Sequence, residues 1–195
     1  VKVESQFFLA PMAAFTNLPF RLMCKKAGAG MVFTEMVTAA GISRKPELAE
    51  KLRELKTCRE EKPVAVQLFA SRPEEFAKAT MLVQENFEIL NLNAGCPATK
   101  ETTIGAGAAL LRKPELIGEI VKAMKEVAEK PVTVKIRLGW QEDNALKICK
   151  IIEKAGADAI IVHARLAGQG YSGKADWSAV KFLVKNSGIP IVYNG

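Results

Sequence analysis

The 195-residue sequence predicts a parallel α/β fold of the TIM, or (β/α)8, barrel type, with the eighth strand absent from its count. Three observations carry that reading. Short, nearly continuous apolar runs alternate with amphipathic segments of helical period, as a parallel sheet covered by helices requires. The runs recur at roughly 25–30-residue spacing, the length of one strand–helix unit. Polar residues suited to chemistry fall where several of these runs end, the end of a parallel barrel that carries active sites. A flavodoxin-like or Rossmann open sheet is the competing architecture, but no Gly-x-Gly-x-x-Gly follows the first run.

Taken in order, strands are expected at Phe7–Ala10, Met31–Glu35, Val64–Phe69, Phe87–Asn93, Val132–Arg137, Ala159–His163 and Ile189–Tyr193. Helices are expected at Asn17–Ala27, Pro46–Leu55, Pro73–Gln84, Pro114–Glu129, Asn144–Ala155 and Trp177–Asn186. Pro46, Pro73 and Pro114 open three of them, where a missing N–H costs nothing. Gly28, Gly156 and Gly188 follow helix ends, as left-handed caps prefer. Residues 1–195, 49% hydrophobic, are expected to form one soluble domain.

The formal charge of +7 and pI near 9.3 suit an anionic partner, nucleic acid above all, or else a lysine-rich solvated surface. No apolar run approaches the ~18–20 residues of a membrane span. Cys24, Cys58, Cys96 and Cys149 form no CxxC pair, which fits a reducing cytosol better than a disulfide framework. With one histidine and no acidic cluster, a catalytic metal site is not expected.

The most informative stretch is Asn91–Leu111, where Asn-Leu-Asn-Ala-Gly-Cys-Pro closes an apolar run. Cys24 and Cys149 lie in amphipathic helices, and Cys58 in a charged loop. Cys96 stands instead on a loop between Gly95 and Pro97, where it can be a nucleophile or a proton donor. No base stands close to it in sequence to activate a nucleophile, and a protonated thiol is already an acid. The Pro11–Ala13 backbone after the first run can lie against a flat ring, or Met12 can plug the core. Gln67 both donates and accepts, which suits a lactam edge or equally a structural role. Lys135 in Val-Lys-Ile-Arg either meets an anionic ligand inside the barrel or pairs with Glu35. His163, in Val-His-Ala-Arg, is a ring- or phosphate-binding candidate.

These segments together resemble the tRNA-dihydrouridine synthases, flavin enzymes on a (β/α)8 barrel. The resemblance runs through Ala-Pro-Met-Ala-Ala-Phe-Thr-Asn-Leu-Pro-Phe-Arg from Ala10, the Cys96 motif, Val-Lys-Ile-Arg-Leu-Gly-Trp from Val134, and His-Ala-Arg-Leu-Ala-Gly-Gln-Gly-Tyr-Ser-Gly-Lys-Ala-Asp-Trp from His163. It ends in Tyr193-Asn194-Gly195, and the Gln-Gly-Tyr segment is the most specific part. The resemblance implies FMN as cofactor, NADPH as reductant, and reduction of the C5–C6 bond of a tRNA uridine, with Cys96 as proton donor. It implies FMN contacts at Pro11, Met12, Ala13, Gln67, Lys135, His163 and Asn194. It sets Asn93, Arg137 and Arg165 beside the uridine. Asn17 stands where the family usually has Asp, and Leu166 where it usually has Thr. The loop Ala98–Thr103 departs from the family pattern. The family's last strand, with its phosphate-binding turn, and its C-terminal helical domain are not in these residues. Two alternatives remain: a flavin dehydrogenase of a free pyrimidine, and an inactive barrel portion.

Overall fold

The computed structural model describes all residues from Val1 to Gly195. Seven parallel strands hydrogen-bond in chain order: β1 Phe8–Leu9, β2 Met31–Thr38, β3 Val64–Phe69, β4 Ile89–Ala94, β5 Val132–Arg137, β6 Ala159–His163 and β7 Ile191–Asn194. The helices are α1 Leu18–Lys26, α2 Ala39–Arg44, α3 Leu48–Lys51, α4 Pro73–Val83, α5 Thr99–Thr103, α6 Pro114–Val127, α7 Ala145–Lys154 and α8 Trp177–Asn186. The fold class is the β/α barrel expected from the alternation. The sheet curls far enough that Phe8 and Phe33 of its first strands share a small cavity with Ile161 and Val192 of its last.

Period-two alternation divides the strands between two cores. One face of β3–β6, including Val66, Leu68, Leu90, Leu92, Val134, Ile136, Ile160 and Val162, packs under the helices. It meets Phe76 of α4, Ile117 and Ile120 of α6, Ile148 and Ile152 of α7, and Leu183 of α8. The opposite face lines the inside of the curl, where Met31, Phe33, Ala65, Ile89 and Ile161 form a separate apolar cluster. Toward the C-terminal strand ends that inner face turns polar. The register aligns Gln67 with Asn91 and Asn91 with Thr133, then Asn93 with Lys135, then Arg137 with His163 and His163 with Asn194.

Three local expectations are corrected. The helix expected over Pro46–Leu55 is broken: Leu52 is extended (φ −65°, ψ 126°) and separates α3 from a 3₁₀ turn at Arg53–Leu55. β2 continues past Glu35 to Thr38, whose hydroxyl accepts from Gly41 N at 3.1 Å and starts α2, a helix not expected from the sequence. Gly28 and Gly156 take the left-handed cap geometry (φ +96° and +93°), but Gly188 does not. There α8 ends on an extended Ser187, and Gly188 is small because the Glu153 carboxylate packs against it.

The first helix is tied to the long connection before β3 by a fully buried ion pair. Arg21 of α1 holds both carboxylate oxygens of Glu61 and donates to the carbonyls of Thr16 (2.8 Å) and Lys56 (2.6 Å). Removing one member of such a pair strands the other charge away from water. Glu61→Ala is expected to lower unfolding free energy by about 3–5 kcal/mol in urea titrations. An Arg21→Met, Glu61→Leu double variant should recover much of that loss.

Candidate active site

A cleft of about 390 Å³ opens at the C-terminal ends of the strands, on the polar side of the inner face. Pro11, Met12, Ala13, Gln67, Asn93, Cys96, Lys135, Arg137 and His163 all line it. Residues expected from five separate segments therefore converge. Asn194 lies instead in the adjoining cavity of about 140 Å³, which Pro11 also borders. Arg165 lines neither cavity; it donates to Gly173 O at 3.0 Å and approaches His163 Nε2 at 2.9 Å.

The Pro11–Ala13 turn is fixed from within. The Thr16 hydroxyl accepts from Met12 N and donates to Met12 O, each at 3.1 Å. Ala14 holds a left-handed φ of 65°, uncommon for a residue with a Cβ, and its N–H donates to Glu35 Oε2 at 2.6 Å. That contact uses the carboxylate that the sequence offered as a partner for Lys135, and no Lys135–Glu35 ion pair forms. Lys135 has no hydrogen bond or ion pair with any protein group, and no carboxylate lines its cleft. Burial, followed by the neighbouring Arg137 charge, lowers its pKa to about 8.

Cys96 is anchored by backbone on three sides. Asn93 Oδ1 accepts from Gly95 N (3.1 Å) and Cys96 N (3.0 Å), while Arg137 Nε donates to Gly95 O at 3.0 Å. Gly107 (φ +59°) backs onto the Cys96 carbonyl so closely that a Cβ there would approach within 2.6 Å. Burial pushes the thiol pKa up, with Glu101 adding to it, so the thiol holds its proton at neutral pH. A nucleophilic thiolate is disfavoured and an acid is favoured.

Arg137 is 2% exposed, and its donors point to the carbonyls of Gly95, Leu166 (3.0 Å) and Gly170 (2.7 Å). From the end of β5 it ties together the loops that follow β4 and β6, while its charge still reaches the cleft. His163 is neutral because burial, then Arg137, Lys135 and Arg165, depress its pKa to about 4. The Arg165 guanidinium beside Nε2 makes that nitrogen the acceptor and leaves Nδ1 as the donor.

Sequence reasoning missed Tyr171, Phe15 and Met36 in the lining, and the contacts of Asn91 and Thr133 behind Gln67. Asn91 had a readable signal, standing two residues before Asn93 and so on the same face of β4. No three His, Cys, Asp or Glu side chains cluster where they could hold a metal ion. No helix is long and apolar enough to cross a membrane.

A curled parallel β/α sheet with convergent polar groups at its C-terminal strand ends defines a barrel of the enzyme type. The family model for dihydrouridine synthase (Dus) matches residues 8–195, and the chain belongs to that family. A probable tRNA-dihydrouridine synthase of Aquifex aeolicus is 36% identical over 98% of this chain and 61% of its own length. tRNA-dihydrouridine synthase B of Pasteurella multocida is 37% identical over 100% of this chain and 59% of its own. The chain thus spans about three fifths of the length of these relatives. A variant of NCR from Zymomonas mobilis shares the fold, with a TM-score of 0.63 and 13% identity over 99% of this chain and 75% of that one.

The two single-residue departures from the family pattern are structurally mild. Asn17 caps α1 by accepting from Phe20 N at 3.1 Å, as an aspartate would. Leu166 acts through its backbone, its carbonyl taking Arg137 and its N–H donating to Gln169 Oε1 at 2.6 Å.

The depressed His163 pKa has a defined sign. The unfolded chain binds the proton first, so the contribution of neutral His163 is complete above about pH 6.5 and is lost as pH falls toward about 4. Urea unfolding of the wild type should weaken across that window more than that of His163→Gln. Equal pH slopes would show that His163 does not carry the effect.

Proposed function

We propose that this chain is the catalytic barrel of a tRNA-dihydrouridine synthase, reducing the C5–C6 bond of uridine in tRNA with FMN as cofactor and NADPH as reductant. The observation that supports this best is a lysine with no protein counter-charge in the same cleft as a protonated, firmly seated cysteine. The donor set fits a flavin. Lys135 offers a cation for the negative charge that builds at the N1–O2 edge of a reduced ring. Gln67 offers paired amide donor and acceptor groups, and Pro11–Ala13 offer backbone. Asn194, beside His163 in register, is assigned to the ribityl–phosphate side. FMN held here would supply the hydride for uracil C6, with NADPH as its source.

Each remaining task falls to this chain. Cys96 keeps its proton until the base arrives and delivers it to C5 from the face opposite the hydride. Asn93 and Arg137, which line the cleft and hold its loops, are read as bordering the uridine, and Arg165, outside the cleft lining, as reaching the uridine backbone. The target base must leave its stack to reach this cleft, and a basic surface holds folded RNA through its phosphates. A reducing cytosol suits the four free cysteines.

Cys96→Ala should cut dihydrouridine formation in unmodified tRNA by about 10²–10⁴-fold, the range for loss of a general acid, while NADPH still reduces the flavin. This is measured on the full-length protein; unchanged turnover would remove Cys96 as the acid. Turnover of free uracil or dihydroorotate without tRNA would instead favour a small-molecule pyrimidine dehydrogenase. Loss of the Lys135 charge above about pH 8 should weaken FMN binding to the flavin-free protein between pH 7 and 9. Fluorescence titration should show that pH dependence vanish in Lys135→Met.

A further inference from the structure

A single directional hydrogen-bond chain runs across the inner face from the Cys96 loop to β5. The Gly95 and Cys96 N–H groups donate to Asn93 Oδ1. Asn93 Nδ2 donates to Gln67 Oε1 at 2.7 Å and touches Met36 Sδ at 3.0 Å. Gln67 Nε2 donates to Asn91 Oδ1 at 2.7 Å, and Asn91 Nδ2 donates to Thr133 Oγ1 at 2.8 Å. The Thr133 hydroxyl closes the chain on Leu90 O at 3.3 Å.

The direction is forced by chemistry, because both ends rest on backbone. A carbonyl at Leu90 can only accept, and amides at Gly95 and Cys96 can only donate. An inverted carboxamide at any of the three amide positions would set N–H against N–H or oxygen against oxygen, away from water. Asn91 is fully buried and Thr133 is 5% exposed, and neither lines the cleft. Gln67, fully buried too but bordering the cleft, uses one Nε2 hydrogen and one Oε1 lone pair in the chain, leaving a second hydrogen and a second lone pair.

We propose that Thr133, acting through Asn91, is a positioning residue that reinforces from β5 the orientation of the Gln67 carboxamide that Asn93 fixes from the other side and, through Asn93, steadies the seat of Cys96. The consequence for ligand binding rests on the flavin reading above; the relay itself does not. Chains of this kind are cooperative, so a change at one end is felt at the other. Thr133→Val keeps the shape and the strand propensity but can neither accept from Asn91 nor donate to Leu90 O. Thr133→Ser restores the hydroxyl.

The relay is read in ¹⁵N-labelled protein without flavin, through the side-chain NH₂ signals of Asn91, Gln67 and Asn93. Thr133→Val should shift all three, and Thr133→Ser should return them toward the wild-type positions. Movement of Asn91 alone, or equal shifts in both variants, would overturn the relay. Titration with FMN then reads its consequence: the dissociation constant should rise about fivefold in Thr133→Val, the size of one net hydrogen bond, and recover in Thr133→Ser. Equal affinity in wild type and Thr133→Val would overturn the control over what a ligand meets. Failure of the wild type to bind FMN while the three signals move together would overturn the flavin reading and support the relay.

Discussion

Asn93 engages both ends of its carboxamide inside the protein, and the site takes its shape from those contacts. Its oxygen gathers the N–H groups of Gly95 and Cys96, and its nitrogen reaches back to Gln67 on the neighbouring strand. The first pair turns the chain sharply out of β4, which is how the thiol leaves a fully buried strand and still has a fixed position. The second contact ties that turn to the sheet. Without it the turn that carries Cys96 would keep its contacts to Arg137 and to the Gly107–Ala108 backbone but lose its tie to β3.

The interior is graded by charge along the strand direction. Apolar Met31, Phe33, Ala65, Ile89 and Ile161 fill the lower part, a neutral amide and hydroxyl layer follows, and cations crown it. This order sorts the groups by how much desolvation each tolerates. The amides satisfy one another, so they withstand burial. Arg137 gives its Nε and Nη1 donors to three carbonyls, which leaves its charge uncancelled and adds to the depression of Lys135 and His163. Lys135 is the one member with neither a neutralising partner nor a carbonyl cage.

The architecture was legible because the helix-facing side of β3–β6 is continuously apolar and each long helix carries a stripe. Elements such as α4, α6, α7 and α8 declare themselves through spacing alone. The segment between β2 and β3 was harder. Thr38 begins α2 by a side-chain cap and Leu52 ends α3 by turning extended, both single-residue events with no periodic signature. The site divides in the same way. Cys96, Lys135 and His163 are chemically conspicuous at strand ends, whereas Asn91 and Thr133 matter through partners on other strands, and pairing across strands depends on register. Glu35 illustrates the limit most clearly. Sequence offered it to Lys135 because both sit on strands, but the left-handed turn at Ala14 brings a backbone N–H to it first.

That competition for Glu35 also explains why the lysine stays available. A carboxylate that neutralised Lys135 would lie in the same cleft and repel any anionic ligand. Held instead by Ala14 N–H, Glu35 stabilises the strained turn that sets the Pro11–Ala13 backbone along one wall. One acid therefore orders the wall by its presence there and leaves the opposite side cationic by its absence. The turn tolerates an alanine at positive φ because this short charge-assisted bond and the paired Thr16 contacts over-determine it. The Pro11–Ala13 wall of this cleft is held by Thr16 and Glu35, which lie outside its lining.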